Sequence, residues 1–281
     1  MWAEFKHTLR RLRWQIVGWA GGVAAYGLMM AYLFPSIADM GDVMYEYINM
    51  FPEAMMAFFE NIYLIGTPMG YMDVYFFSYM HMIIGILAIG TGAGLLVGDE
   101  EKGVLDLVLA QPVSRTSLFF GRFLGLAAAL AAILVAGWLS WSIPAGSVGL
   151  ELSWLQLLLP FLPLFVVLLL FTAIAVLLSM IMPAARIAGM LTGAILVGNF
   201  LLLGLSNIND KLKPLMKLTP LYYYQGGLAV EGLNGTWLLG LLLCVLLAIA
   251  VAWLLFLRRD IRVGGERSWK LPVFGKRSTT S

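Results

Sequence analysis

Soft sulfur is the most concentrated reactive chemistry in this 281-residue chain: eleven of its 16 methionines fall between Met29 and Met82. The pairs Met69/Met72 and Met80/Met82 have a spacing that can offer thioethers to Cu(I). Methionine also fills irregular apolar gaps and makes adaptable binding surfaces, and that use needs no metal. His7 and His81 have no cysteine near them, and the single Cys244 sits in an apolar run, so no zinc site forms and no metal is expected. A phosphate-binding loop is absent: Gly275-Lys276 is followed by Arg277 and lacks the earlier glycine. No Ser/His/Asp set or paired carboxylate suggests a membrane enzyme. The chain therefore has no visible means of binding ATP, and no cofactor of its own is expected. His81 and Asn199, polar residues within apolar runs, are candidates for substrate contact. For His81 an interhelical hydrogen bond is the plainer reading, beside a pH-sensitive one.

The elements that hold these residues are set by composition: 61% of residues are hydrophobic and 12% charged. That is too little polar surface to cover a globule, so lipid must cover much of it. A membrane span needs about 20 apolar residues. Six segments qualify, at 15–34, 74–97, 120–141, 155–181, 187–206 and 237–257, and predict an all-α integral membrane protein of one domain. Pro160 and Pro163 should kink the fourth span near its start. The first is too long for a signal peptide and has no clear cleavage site after it. Residues 1–14 interleave Trp2, Phe5, Leu9, Leu12 and Trp14 with basic residues, as in an interfacial amphipathic helix.

With both termini cytoplasmic, fifteen of the 18 lysines and arginines fall in inner segments. Lys211, Lys213 and Lys217 are the outer exceptions. Trp138, Trp141 and Trp154 then lie where the outer aromatic belt should be. Apart from His81 no span has an ionisable residue near its middle, because Arg122 and Arg186 sit at inner ends and can snorkel. Ion-coupled transporters generally need such groups or broken-helix ion sites, so energy is expected to enter from outside the bilayer.

Three hydrophilic segments remain. In the outer segment 35–73, Asp39, Glu46, Glu53 and Glu60 recur every seven residues and Pro52 breaks the pattern, predicting one or two amphipathic helices. Their acidic face is either simply solvated or attracts cations. The outer segment 207–236 is broken by Pro214 and Pro220 and carries an aromatic cluster at Tyr222–Tyr224. The tail 258–281 is basic. On the inner side, between the second and third spans, residues 99–117 predict a short amphipathic helix with Asp99 as N-cap, acids in its first turn and Leu105, Val108 and Leu109 on an apolar ridge. Pro112 ends it, and Ser114 caps the next helix. Such a ridge can insert into a partner's groove or pack on its own bundle.

The run Glu100-Glu-Lys-Gly-Val-Leu-Asp-Leu-Val-Leu-Ala-Gln-Pro-Val-Ser-Arg115 resembles the inner loop of bacterial ABC type-2 exporter permeases, where an acidic-Gly-(Thr/Val)-Leu stretch precedes a Pro-Val-Ser-Arg turn. Gly103-Val104 stands where Gly-Thr is common. Span number and order are similar along nearly the whole chain. The resemblance implies that 100–109 is a coupling helix docking on a cytoplasmic ATP-binding cassette subunit, with Glu100, Glu101, Gly103, Leu105, Val108, Leu109, Pro112 and Arg115 at the contact. It also implies two permease copies, identical or not, two ATPases that hold ATP and Mg²⁺, and a bacterial plasma membrane location. Membrane lipid is the other expected partner, and nucleic acid is not. A hydrophobic or amphipathic cargo is expected, a drug, antibiotic or lipid-like molecule, to suit an apolar dimer cavity without charge. An ion-coupled secondary transporter and a non-transporting sensor or scaffold are the competing readings.

Overall fold

The computed structural model describes residues 1–40, 48–50, 52, 56, 58, 61–105 and 113–259. The described residues form helices and turns without a strand. Six helices are long and apolar enough to cross a membrane: α1 (Trp2–Ala38), α2 (Pro68–Ala93), α4 (Arg115–Ser142), the pair α5 (Trp154–Leu158) and α6 (Phe161–Ile181), α7 (Ala185–Ile208) and α9 (Gly235–Arg258). Between them lie the short helices α3 (Val97–Glu101) and α8 (Lys213–Met216). The bundle is an all-α integral membrane architecture, as the hydropathy pattern requires. The fourth span breaks at Leu159-Pro160, where the proline ring removes a backbone donor. A capping box at Ser153 and Gln156 starts the short helix α5 before it.

The core is α6. It is apolar all round, with thirteen of its side chains from Phe161 to Val176 buried, and it packs against α2, α7 and α9. The helices α1, α7 and α9 keep most of their apolar surface exposed, which suits lipid or a neighbouring chain. Residues 1–14 are continuous with the first span: the 37 residues of α1 make one helix about 55 Å long, well beyond a hydrocarbon core of about 30 Å. Its first turns do not lie apart from the bundle. Thr8 and Leu12 are buried, and α1 packs along α4 over most of its length.

Glycine makes that approach possible. A Cβ on Gly125 of α4 would stand 2.8 Å from Thr8 Cβ, and one on Gly121 would stand 2.7 Å from the Met1 carbonyl oxygen. Gly137 meets Val23 and Phe161 in the same way further along. Small residues four apart let membrane helices close to backbone contact, and the dispersion gained there is what holds helices together in lipid.

One sequence expectation changes. Trp141 is fully buried, edge-on to Tyr71 and Phe76, and belongs to the core; Trp138 and Trp154 pack together at the surface, ring centroids 5.7 Å apart, as a belt pair should. The acids Asp42, Glu46, Glu53 and Glu60 lie outside the described residues. Met72 and Met80 are buried among apolar neighbours, where their thioethers serve as packing.

The glycine seam gives a stability prediction. Gly125→Val should cost about 1–3 kcal/mol by overpacking. Gly240→Val, on an α9 face where an added Cβ meets nothing within 4 Å, should be close to neutral. Thermal unfolding of the two purified variants in one detergent compares them directly; equal midpoints would refute the seam.

Candidate functional site

Three acids in a row, Asp99, Glu100 and Glu101, occupy α3 and the end of it, at the end of the bundle where both α1 begins and α9 finishes. Successive helical residues are rotated by about 100°, so the three carboxylates leave α3 in different directions. Asp99 meets Arg11 of α1 (Nη1–Oδ1 3.0 Å) and Arg122 of α4 (Nη1–Oδ2 2.7 Å). Arg122 is 3% exposed; its Nε donates to Glu4 at 3.3 Å and its Nη1 to the Leu95 carbonyl at 2.9 Å. Glu100, also buried, pairs with Arg259 at 3.2 Å. Arg259 in turn donates to the Ser179 and Met180 carbonyls at 2.9 Å, closing the C-terminal end of α6. Glu101 accepts the Ala185 N–H at 2.8 Å, so a negative charge caps the N-terminus of α7. Arg115 donates to the carbonyls of Phe256, Leu257 and Arg259, doing for the end of α9 what Arg259 does for α6. Through these bonds and the chain itself, α3 is joined to the near ends of all six spans.

The loop geometry differs from the expected rod over 100–109. Asp99 is not an N-cap: α3 begins at Val97, and Asp99 lies inside it. The helix then stops within six residues. Gly103 N–H reaches the Glu100 carbonyl at 3.0 Å and Val104 N–H the Asp99 carbonyl at 2.9 Å, with Gly103 at φ +66°. This is a Schellman stop, and the left-handed conformation is why glycine stands there. The chain restarts at Leu105, whose side chain is 1% exposed and part of the core, so it belongs to no protruding ridge. Val104 is the exposed apolar residue of this turn. Val108, Leu109 and Pro112 lie outside the described residues. Ser114 caps α4 as expected, accepting from Ser117 N–H at 3.2 Å. Arg122 does not snorkel; it is the buried centre of the cluster, while Arg186 is exposed.

At the far end α2 opens into a π-helical turn, Asp73–Phe77. Such a turn frees backbone carbonyls, and side chains take them up. Tyr26 hydroxyl donates to the Tyr75 carbonyl and Tyr224 hydroxyl to that of Phe77 at 3.0 Å. Burial first, and then the Asp73 carboxylate, push the Tyr224 phenol well above its usual value, so it stays a donor. Asp73, buried, accepts from Asn61 Nδ2 and from Gly227 N–H, both at 2.6 Å. Gly227 is required at that approach, since a Cβ would stand 2.6 Å from Asp73 Cβ. Neither Asp73 nor its partners carry a periodic signal in the sequence.

His81 lies about one turn beyond it along α2, buried between the Phe200 and Tyr224 rings, with Nδ1 3.4 Å from the Phe77 carbonyl. Asn199 bonds back to its own helix at the Ile195 carbonyl, 2.8 Å away, and makes no bond to His81. His81 Nε2 and Asn199 Oδ1 are each buried without a partner among the described residues. Trp141 Nε1 and Ser142 Oγ of α4 share that state.

A family model, the ABC-2 family transporter protein, matches residues 29–261. No curated protein matches the chain. The match covers most of the sequence, and the chain belongs to the ABC-2 transporter family, whose membrane subunits are permeases.

The charge cluster generates a second prediction. Arg122→Gln leaves Asp99 and Glu4 facing a neutral group in a buried site and should cost about 3–5 kcal/mol. Arg186→Gln, on an exposed arginine, should stay within about 0.5 kcal/mol. Thermal melts in detergent read both, and a stable Arg122→Gln protein would show that the cluster does not hold the bundle.

Proposed function

We propose that this ABC-2 permease is the membrane half of an ATP-driven exporter and works with a separate ATP-binding cassette subunit that docks at the α3 end of the bundle. The observation that carries the reading is the ionic hub: α3 continues α2 along the chain and is bonded, directly or through Arg259, to the ends of the other spans, so a displacement imposed there moves the spans together. A docked subunit would press on Val104 and on residues 106–112. Buried Glu100 transmits the push and Leu105 anchors the turn in the core, while Glu101, Gly103 and Arg115 are accessible at its edge. ATP and Mg²⁺ reside in that partner.

The basic end of the chain supports a cytoplasmic α3 end with both termini inside, in a bacterial plasma membrane. The exposed faces of α1, α7 and α9 support a working unit with a second permease copy, identical or not. Cargo is hydrophobic or amphipathic, since the spans offer little polar lining beyond the orphaned atoms of His81 and Asn199.

Co-purification with a co-expressed cassette subunit tests the assignment. Val104→Asp and Leu109→Asp should each weaken association and ATP-driven efflux at least about tenfold, because a charge enters an apolar contact, and the melting point of Val104→Asp, at an exposed position, should hold. Leu105→Asp should instead lower the melting point, since that side chain is in the core. Association unchanged by both Val104→Asp and Leu109→Asp would overturn the docking assignment. Efflux driven by a proton or sodium gradient without ATP would replace it with secondary transport, and binding without flux with a sensor.

A further inference from the structure

Two clefts lie along one pair of helices, α1 and α2. The first, about 320 Å³, sits at the α3 end, walled by His7, Thr8, Arg11 and Gln15 of α1, Thr91 of α2, and Arg122 behind them. The second, about 530 Å³, continues the groove and is almost wholly apolar: Trp14, Gly18, Trp19, Gly22, Tyr26 and Met80 line it. Gln15 lines both, so the groove passes from a polar pocket into an apolar trough at that residue. Gly18 and Gly22 shape the trough, and nothing stands within 4 Å of a Cβ added at either.

The polar pocket has unspent donors. No carboxylate lines it. Arg11 uses only Nη1 on Asp99, and Arg122 uses Nε and Nη1, which leaves Nη2 of both guanidinium groups without a partner among the described residues. The side-chain amide of Gln15 has no partner there either. Asp99 and Glu4 neutralise the two arginines, so the surplus positive charge comes from Lys6, Arg10 and Arg13 on the same turns of α1. Lys6 lies over the Trp2 ring at 5.0 Å and Arg13 over that of Trp14 at 5.5 Å, an arrangement suited to the headgroup layer.

The dimensions agree with one leaflet. From Gln15 to Tyr26 α1 rises about 16 Å, against about 15 Å for half of the hydrocarbon core. An anion is recognised at one end, a donor that suits an ester carbonyl stands at the junction, and a trough of acyl-chain length follows. We infer that the α1–α2 groove is a binding site for a single anionic phospholipid, its phosphate on the free edges of Arg11 and Arg122, Gln15 at the glycerol esters and one acyl chain along Gly18, Gly22 and Met80. Basic pockets between spans hold anionic headgroups by this chemistry. A lipid there would join the outer edge of the ionic hub to the α1–α2 contact. Which leaflet supplies the lipid rests on the orientation proposed above; the binding does not.

The full chain, purified in detergent without any ATPase, is incubated with phosphatidylglycerol or phosphatidylcholine of matched acyl chains, and bound lipid is counted by native mass spectrometry. One phosphatidylglycerol should be retained about fivefold more strongly than phosphatidylcholine. Arg11→Gln should remove that preference. Gly18→Leu and Gly22→Leu fill the trough and should lower retention of both lipids with the melting point in lipid-free detergent unchanged, which keeps the test valid if Arg11→Gln folds poorly. Equal retention of the two lipids by the unaltered chain overturns the inference. So does wild-type retention by Gly22→Leu, or displacement of the lipid by glycerophosphoglycerol or inorganic phosphate at the same concentration, which would mean an anion site without an acyl trough. A second copy of the chain in the groove, seen as dimer mass lost in Gly22→Leu, overturns it as well. Because no step uses ATP or flux, these outcomes stand whether or not the exporter assignment does.

Discussion

A guanidinium group taken out of water must be paired, and that requirement organises the whole α3 end of the bundle. Arg122 is almost wholly buried on α4, where an uncompensated charge would cost several kcal/mol. Its Nε and Nη1 donors are met by Glu4 of α1, Asp99 of α3 and the Leu95 carbonyl between α2 and α3, three elements distant in sequence. Satisfying one buried side chain therefore fixes the relative positions of α1, α2, α3 and α4. Arg259 repeats the logic for α6 and α9, with Glu100 as its counter-charge. The helical rotation of successive residues turns an acidic tripeptide into a three-way junction, and that junction is what makes a five-residue helix mechanically significant.

The six spans were legible because length and hydropathy alone decide whether a helix can cross lipid. The break at Pro160 and the cap at Ser114 were legible too, since both are local chemistry. The pairing partners of the inner charges were not, because Asp99 meets residues 88 positions before it and 23 after it, and no periodicity in the chain encodes that. Reading Arg122 as a snorkelling end residue placed it correctly along the helix and missed the direction in which it points. The expected rod at 100–109 failed at Gly103, where apolar spacing argued for continuation and a left-handed backbone ended the helix. The burial of Trp141 escaped for a related reason: Trp138 and Trp141 are one turn apart and look alike in sequence, but only one faces Tyr71 and Phe76.

The two ends of the bundle are held by different forces. At the α3 end the bonds are ionic and largely buried. At the other end they join hydroxyl groups to carbonyls freed by the π-turn of α2, Tyr26 to Tyr75 and Tyr224 to Phe77, with Asp73 accepting from neutral donors. A neutral hydrogen bond contributes about 1 kcal/mol net, whereas separating a buried ion pair costs about 3–5 kcal/mol. The π-turn is also the place where α2 departs from regular geometry, and His81, with Nε2 unpaired among the described residues, lies one turn beyond it.

That asymmetry constrains how a permease of this build can work. Under the proposed role a partner acts on α3, and the ionic hub resists internal separation more than the contacts at the opposite end do. A load applied at α3 is then carried through the hub with the span ends held in register and relaxes where the bonds are weakest, around Asp73–Phe77 and the segment carrying Tyr224 and Gly227. The two tyrosine hydrogen bonds there sum to about 2 kcal/mol, well within what a docking interface can supply. Under that role opening would belong at the end far from α3, by release of the π-turn contacts, with the α3 end as a handle.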